Sequence, residues 1–307
     1  MRSKLWKNIL YVITGFAFVA SIVSPYIDYW LAQLWVHFTL QYTILFSILL
    51  FIALGYYTRS FLTLIVAIGL LINASQIIPF YLSKPSRSVD HKETLTIMSV
   101  NLWSQNRSAA KMKQLLKEQN ADIVILLEYT EGWHNQLKIE LSQYPYQKMR
   151  IRPDNFGMAV YSKIAMETAL QVNDVPKINA KVKSDEPFYL LVRHPRPPLN
   201  SETYQAQKDM FNQIGDFVNN TTKPVIVVGD LNSSSFSYSF EDLINTTSLS
   251  DTRKGFGLQT TWPSSFGNFG ITLDHFLTTK NMIISDKKVL NDAGSDHLPI
   301  YLEIGKK

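Results

Sequence analysis

Apolar and polar positions follow two different patterns along this chain, and the change comes near residue 94. Before it, three apolar blocks fill residues 6–23, 35–56 and 61–82, each close to the ~20 residues that cross a bilayer as a helix. Pro25 and Asp28 interrupt the first gap, and Thr58, Arg59 and Ser60 the second. Trp6, Trp35, Tyr56, Tyr57 and Tyr81 stand at block ends, where an interfacial aromatic belt places them. A cleaved signal peptide has one short apolar core, so three long blocks predict three transmembrane helices over residues 1–82.

Residues 83–93 are mostly polar, include Pro85, and read as a linker. From residue 94 to 307 the apolar stretches shorten. Runs at 95–100, 123–127, 158–161, 188–192, 225–228, 271–277 and 298–304 predict strands, several of them apolar on both faces as in a covered sheet. Met112, Leu115 and Leu116 mark one helix by their spacing, and Met210, Ile214, Phe217 and Val218 mark another. Strands with covering helices over this length predict one mixed α/β domain.

Charge sharpens this division. The net +5 is uneven: residues 1–93 hold seven Lys/Arg against three acids, and the remainder holds 23 against 22. A nearly neutral second part disfavours a long duplex nucleic acid as partner, which calls for an excess of cations on the folded domain. Arg2, Lys4 and Lys7 before the first block, and Arg59 between the second and third, place the N-terminus in the cytoplasm. Three spans then carry the domain to the extracytoplasmic side, although Lys84, Arg87 and Lys92 pull the other way. No acid, Lys or Arg lies within a block away from its ends, so the spans read as an anchor in the lipid bilayer, not an ion path. The absence of Cys removes disulfides, thiolate metal sites and thiol nucleophiles.

The chemistry lies where the runs stop. The first ends in Asn101 and the second in Glu128; Arg193 and His194 follow the fourth. The fifth ends in Gly229-Asp230-Leu231-Asn232, where Gly229 lets the backbone turn and brings out a carboxylate and an amide together. The sixth contains Asp274-His275, and Asp296-His297 precede the last. Apolar strands that repeatedly end in an acid, amide or imidazole predict one shared cleft. His91, His134 and His275 read as exposed or structural, and Asp251 as a solvated loop acid.

At these residues the sequence resembles the endonuclease/exonuclease/phosphatase superfamily. The pieces stand in that family's order: Ser99-Val100-Asn101, Leu127-Glu128, residues 156–162, His194, residues 229–232, Thr261-Trp262, Leu273-Asp274-His275 and Ser295-Asp296-His297. The resemblance covers residues 94–307 and implies a four-layer α/β/β/α sandwich with its site at the strand ends. The implied reaction is attack of a metal-assisted water on a phosphate-ester substrate. Glu128 would be the main ligand of Mg²⁺ or Mn²⁺, helped by Asn101, with Asp296 joining the shell. His297, oriented by Asp274, would be the general base or bind the phosphate; Asp230 would position or deprotonate the water. Asn232 and His194 would donate to phosphate oxygens. Two departures stand out: Trp103 occupies a position where some members carry an acid, and residues 152–156 offer no phosphate contact of the family's kind. A patch of Lys148, Arg150, Arg152, Arg193 and Arg196 is a further candidate for binding phosphate.

Three functions remain in view: a membrane-anchored phosphoesterase acting on a lipid-like phosphodiester, an extracytoplasmic nuclease, and an inactive binding module on an anchor. The intact set of Asn101, Glu128, Asp230, Asn232, Asp274 and His297 argues against the last.

Overall fold

The computed structural model describes residues 2–56, 60–83, 94–106, 108–172 and 175–305. Apart from Ser83, the expected linker lies outside these residues, as do His91, Arg59, Lys84, Arg87 and Lys92.

The three apolar blocks are helical. Helix α1 (Arg2–Phe18) runs on through a π turn (Val19–Val23) and a 3₁₀ turn (Ser24–Tyr26), where Pro25 ends it. A short α2 (Trp30–Gln33) and a 3₁₀ turn (Val36–Phe38) lead into α3 (Thr39–Tyr56), and α4 (Phe61–Leu82) follows with Ser60 as its cap. Three segments, Asn8–Tyr26, Trp30–Tyr56 and Phe61–Leu82, are long and apolar enough to cross a membrane. Their mutual contact is an apolar cluster of Ala17, Ala20, Tyr42, Phe46, Leu49, Leu62 and Val66. Most of the remaining apolar surface faces outward, with Phe51 82% exposed, as lipid-facing helices require.

Residues 94–305 form two six-stranded sheets covered by helices. In the first the strands are β1 (Thr94–Asn101), β2 (Ile123–Leu127), β3 (Tyr146–Arg150), β4 (Met158–Ser162), β11 (Ile283–Val289) and β12 (Ile300–Gly305). They lie in the order β11-β12-β1-β2-β4-β3. The second holds β5 (Met166–Gln171), β6 (Lys177–Val182), β7 (Phe188–Val192), β8 (Val225–Asp230), β9 (Leu249–Asp251) and β10 (Asp274–Thr279), ordered β5-β6-β7-β8-β10-β9.

Alternation along the central strands builds the layers. Ile123, Ile125 and Leu127 of β2 meet Ile226 and Val228 of β8 between the sheets. The intervening Val124 and Leu126 pack under α5 (Ala109–Gln119) and α6 (Glu131–Leu137), with Met112, Leu115 and Trp133. Val225 and Val227 pack under α7 (Ser201–Asn219) and α8 (Tyr238–Thr246), against Ile214 and Phe240. This is the four-layer α/β/β/α sandwich.

Two expected strands begin later than their apolar runs. The 271–277 run becomes a strand only at Asp274, because Thr261 Oγ1 takes the Leu273 N–H and Ile271 bridges to Trp262 instead. The 298–304 run starts at Ile300, after Pro299, which has no N–H for a ladder. Strands β3, β5, β6, β9 and β11 were not expected. Most of them alternate with polar residues or lie at sheet edges, so they lack the long two-faced apolar runs of the centre.

The helical unit docks on the sandwich through the ends of its spans. Phe80 O accepts from the N–H groups of Gly255 and Gly257 at 2.9 and 2.8 Å, and the Arg253 guanidinium lies 4.6 Å from the Phe80 ring centre. Between the first two apolar segments Asp28 accepts from Tyr204 at 2.8 Å and pairs with Lys208, and in the second Gln33 Oε1 accepts from Tyr238 N at 2.9 Å. Burial opposes the charge on Asp28, but Lys208 and Tyr204 outweigh it and hold its carboxyl below the usual range.

Candidate active site

Parallel pairing of β1 with β2 brings Asn101 and Glu128 to the same end of the first sheet. Antiparallel pairing of β8 with β10 sets Asp230 directly opposite Asp274 in the second. The ends of both sheets meet, and Asn101 spans the gap: its Nδ2 donates to Glu128 Oε1 at 3.3 Å and to Asp230 Oδ2 at 3.1 Å. All these side chains are buried, which makes their partners decisive, since an unpaired buried charge is costly.

Backbone geometry at the strand ends is unusual in the way functional positions often are. Glu128 has φ +55° and Asn232 φ +47°. In that conformation the Glu128 carboxylate accepts from the Ser104 backbone N–H at 2.8 Å. Gly229 has φ +139°, and a Cβ there would lie 2.0 Å from Arg193 O, so no other residue fits this approach of β8 to the chain after β7.

His297 reaches the cleft from the loop before β12. Its Nδ1 donates to Asp274 Oδ2 at 2.8 Å and its Nε2 lies 3.6 Å from Asp230 Oδ2. Burial alone would lower its pKa, but Asp274, Asp230 and Asp296 outweigh it and push the imidazole up to about 10. Burial pushes Asp230 upward, reinforced by Asp274 and opposed by the two imidazoles. Asp274 is held below the ordinary range: burial opposes this, but the His297 partner wins. His194 Nε2 sits 3.5 Å from Asp230 Oδ2 on the other side, and its buried Nδ1 has no hydrogen-bond partner. Asn232 donates from its backbone N to Asp230 Oδ1 at 2.9 Å and from Nδ2 to Pro195 O at 2.9 Å.

The structure thus brings Asn101, Glu128, Asp230, Asn232, Asp274, His194 and His297 together. Asp296 is engaged elsewhere: its carboxylate accepts from Trp262 Nε1 at 3.3 Å, and it acts on His297 only through its charge. Three other sequence expectations change. Asp251 is not a solvated loop acid but is buried at the end of β9, paired with Arg253 at 2.6 Å. Arg193 is not available to a phosphate patch, because its guanidinium is buried and donates to Ile178 O, Val192 O and Asn179 Oδ1. Arg152 is paired with Asp154 at 2.5 Å. His275 is buried, with Nε2 2.8 Å from Ser233 O, and His134 contacts Tyr129.

The cleft has a volume of about 440 Å³ and a mixed lining. Glu128, Asp230, Asn232, His194 and His297 form its polar floor; Trp262, Ile271, Leu273, Pro197, Pro198 and Leu199 form apolar walls. Asn155 and Phe156 also line it, and Leu34, His37 and Phe38, from the second candidate span, complete it. Sequence reasoning missed these three. The available signal was His37, the one histidine before residue 91.

The donor chemistry suits a hard divalent cation. Glu128 and Asp230 offer carboxylate oxygens, Asn101 turns its Nδ2 toward both while its Oδ1 accepts from Trp103 N at 3.0 Å, and Asp230, Asp274 and His297 present ligand atoms within 4.8 Å of one another.

Comparison with known proteins bears on the same residues. Residues 98–297 match the model of the Endonuclease/Exonuclease/phosphatase family. No curated protein sequence matches the chain. Among solved structures, D. rerio TDP2 complexed with a single-strand DNA product is similar at 17% identity and TM-score 0.59, covering 69% of this chain and 99% of that one. An endonuclease/exonuclease/phosphatase from Beutenbergia cavernae is similar at 14% identity and TM-score 0.55, covering 70% and 72%. The mannosyl-6-phosphatase of Bacteroides thetaiotaomicron gives 17% identity and TM-score 0.50, covering 69% and 100%. At these identities the likeness is one of fold.

Proposed function

The chain belongs to the Endonuclease/Exonuclease/phosphatase family, and we propose that it is a membrane-anchored phosphoesterase that hydrolyses a lipid-like phosphodiester. Family members are hydrolases of phosphate esters that use a divalent metal. The observation that carries the reading is the single cleft in which Glu128 and Asn101 of one sheet meet Asp230, Asp274 and His297 of the other beneath an apolar wall from the N-terminal helices.

Glu128, helped by Asn101, would hold Mg²⁺ or Mn²⁺. Bound there, the ion would polarise the phosphate and stabilise the leaving oxygen. Asp230 would position or deprotonate the attacking water, and burial raises its proton affinity for that role. His297 Nε2–H donates to a phosphoryl oxygen as charge grows there, and Asp274 fixes the ring for that role. His194 and Asn232 supply further donors. Asp296 acts at one remove, through the charge of His297.

The membrane reading rests on three candidate spans and on where they touch the sandwich. Asp28 between the first two candidate spans and Phe80 near the end of the third both contact it, which supports a sandwich on the side opposite the N-terminus. The Arg2, Lys4 and Lys7 cluster favours the cytoplasm for the N-terminus and so supports an extracytoplasmic sandwich.

The test is a substrate screen of the full-length protein with Mg²⁺ or Mn²⁺, using a phospholipid, a sugar phosphate, and single-stranded and duplex DNA. Cleavage of the phospholipid supports the proposal. Cleavage of DNA alone replaces it with an extracytoplasmic nuclease, and cleavage of none leaves a binding module.

A further inference from the structure

The active-site cleft is not built by the sandwich alone, and the part supplied by the N-terminal helices is specific. His37 lies in the 3₁₀ turn before α3, within the second candidate span, Trp30–Tyr56. Its Nδ1 receives the backbone N–H of Ser234 at 3.3 Å and lies 2.9 Å from the Ser234 hydroxyl. A backbone N–H can only donate, so Nδ1 is the unprotonated nitrogen and the ring carries its proton on Nε2. Among the described residues no protein acceptor meets that Nε2–H. The imidazole lines the cleft between Leu34 and Phe38, a single donor in an apolar wall.

The position of this wall is fixed. Gln33 is tied to the start of α8 and donates to Ser24 O and Ile27 O, and Asp28 is held by Tyr204 and Lys208. Beside the cleft, the loop after Pro263 carries Phe266 and Phe269, 62% and 65% exposed, and Gln41 in the first turn of α3 donates to Phe269 O at 2.7 Å. Two exposed phenylalanines, one of them held to the first turn of α3 through its carbonyl, make this rim of the cleft suited to a lipid surface.

We propose that His37 is a specificity-determining residue contributed by the membrane anchor: its Nε2–H donates to an oxygen of the substrate's lipid backbone, while the hydrocarbon part lies along Leu34, Phe38 and Leu199. This rests on the phosphoesterase reading above. The substrate class is an amphiphilic phosphodiester drawn from the bilayer, and the anchor selects it directly besides tethering the enzyme. A sugar phosphate has no group to match Leu34 and Phe38.

The experiment compares kcat/KM for a diacyl glycerophosphodiester in mixed micelles with that for bis(4-nitrophenyl) phosphate, using full-length protein and Mg²⁺. His37→Asn keeps an acceptor for Ser234 but removes the distal donor; Leu34→Gln alters only the wall. Both variants are expected to lower the long-chain to short-chain ratio of kcat/KM by about tenfold or more, ~1.4 kcal/mol, mainly through KM of the long-chain substrate. An unchanged ratio, even with both activities reduced, assigns His37 to holding the Ser234 loop and overturns the proposal. A wild-type enzyme that cleaves the short ester but not the lipid also overturns it and leaves the phosphoesterase reading standing. No metal-dependent cleavage of either substrate removes that reading, and this inference with it.

Discussion

Asp230 and Asp274 face each other as paired residues of antiparallel strands, and His297 lies against both, 2.8 Å from Asp274 and 3.6 Å from Asp230. Two carboxylates this close and this buried cannot both be charged without a cation between them. The imidazolium supplies that charge, which makes Asp274 a positioning residue and leaves Asp230 for the water.

Asp274→Asn therefore keeps the shape of the pair and removes its charge. Without that carboxylate the His297 imidazole loses its largest stabilising partner. The expected outcome is a fall in kcat of about 10²–10⁴, with the circular dichroism spectrum unchanged. A variant that alters KM alone would contradict the orienting role.

Glu128→Gln tests the ion. The substitution keeps size and removes the charge that a hard cation needs. Calorimetric titration of the full-length protein with Mg²⁺ or Mn²⁺ should lose its binding heat, and metal-dependent hydrolysis should vanish. Retained metal affinity would move the ion to the Asp230, Asp274 and His297 group.

Gly229→Ala reports on how the strand end is made. A Cβ there meets Arg193 O at 2.0 Å in a backbone region that L side chains rarely adopt. A loss of order 1–3 kcal/mol is expected from backbone conformation alone, read by denaturant unfolding in detergent. A neutral result would show that the chain after β7 can retreat.

Lys287 gives the protein a pH dependence away from the site. It is buried on β11, donates to Gln259 Oε1 at 2.7 Å, and is pushed down to about 7 by burial first and then by Arg253. Between about 7 and the unfolded value of 10.5, the unfolded chain binds a proton that the folded chain does not. Stability from this group is full above that window, falls as pH is lowered through it, and reaches its minimum below about 7. Lys287→Met should raise the unfolding midpoint more at pH 6 than at pH 10, by about 2–4 °C for each kcal/mol recovered. An equal shift at both pH values would reject the linkage.

The sequence alone determined the local features. Three blocks of near-bilayer length, central strands apolar on both faces, and acids, amides and imidazoles at their ends can all be read without knowing what lies opposite, because burial imposes its period on neighbouring residues. It also identified Glu128, Asp230, Asp274 and His297 as one set, through their order along the chain. The tertiary structure decided what depends on residues far apart in sequence. Asp251 and Arg193 carry the same side chains whether solvated or buried, and only packing gave them Arg253 and the Ile178 carbonyl as partners. The polar edge strands gained their place from the ladders beside them. Most of all, His37 reads as an isolated histidine at the start of a span. It became part of the cleft because docking brought it to Ser234, 197 residues away, and no periodicity records a contact at that separation.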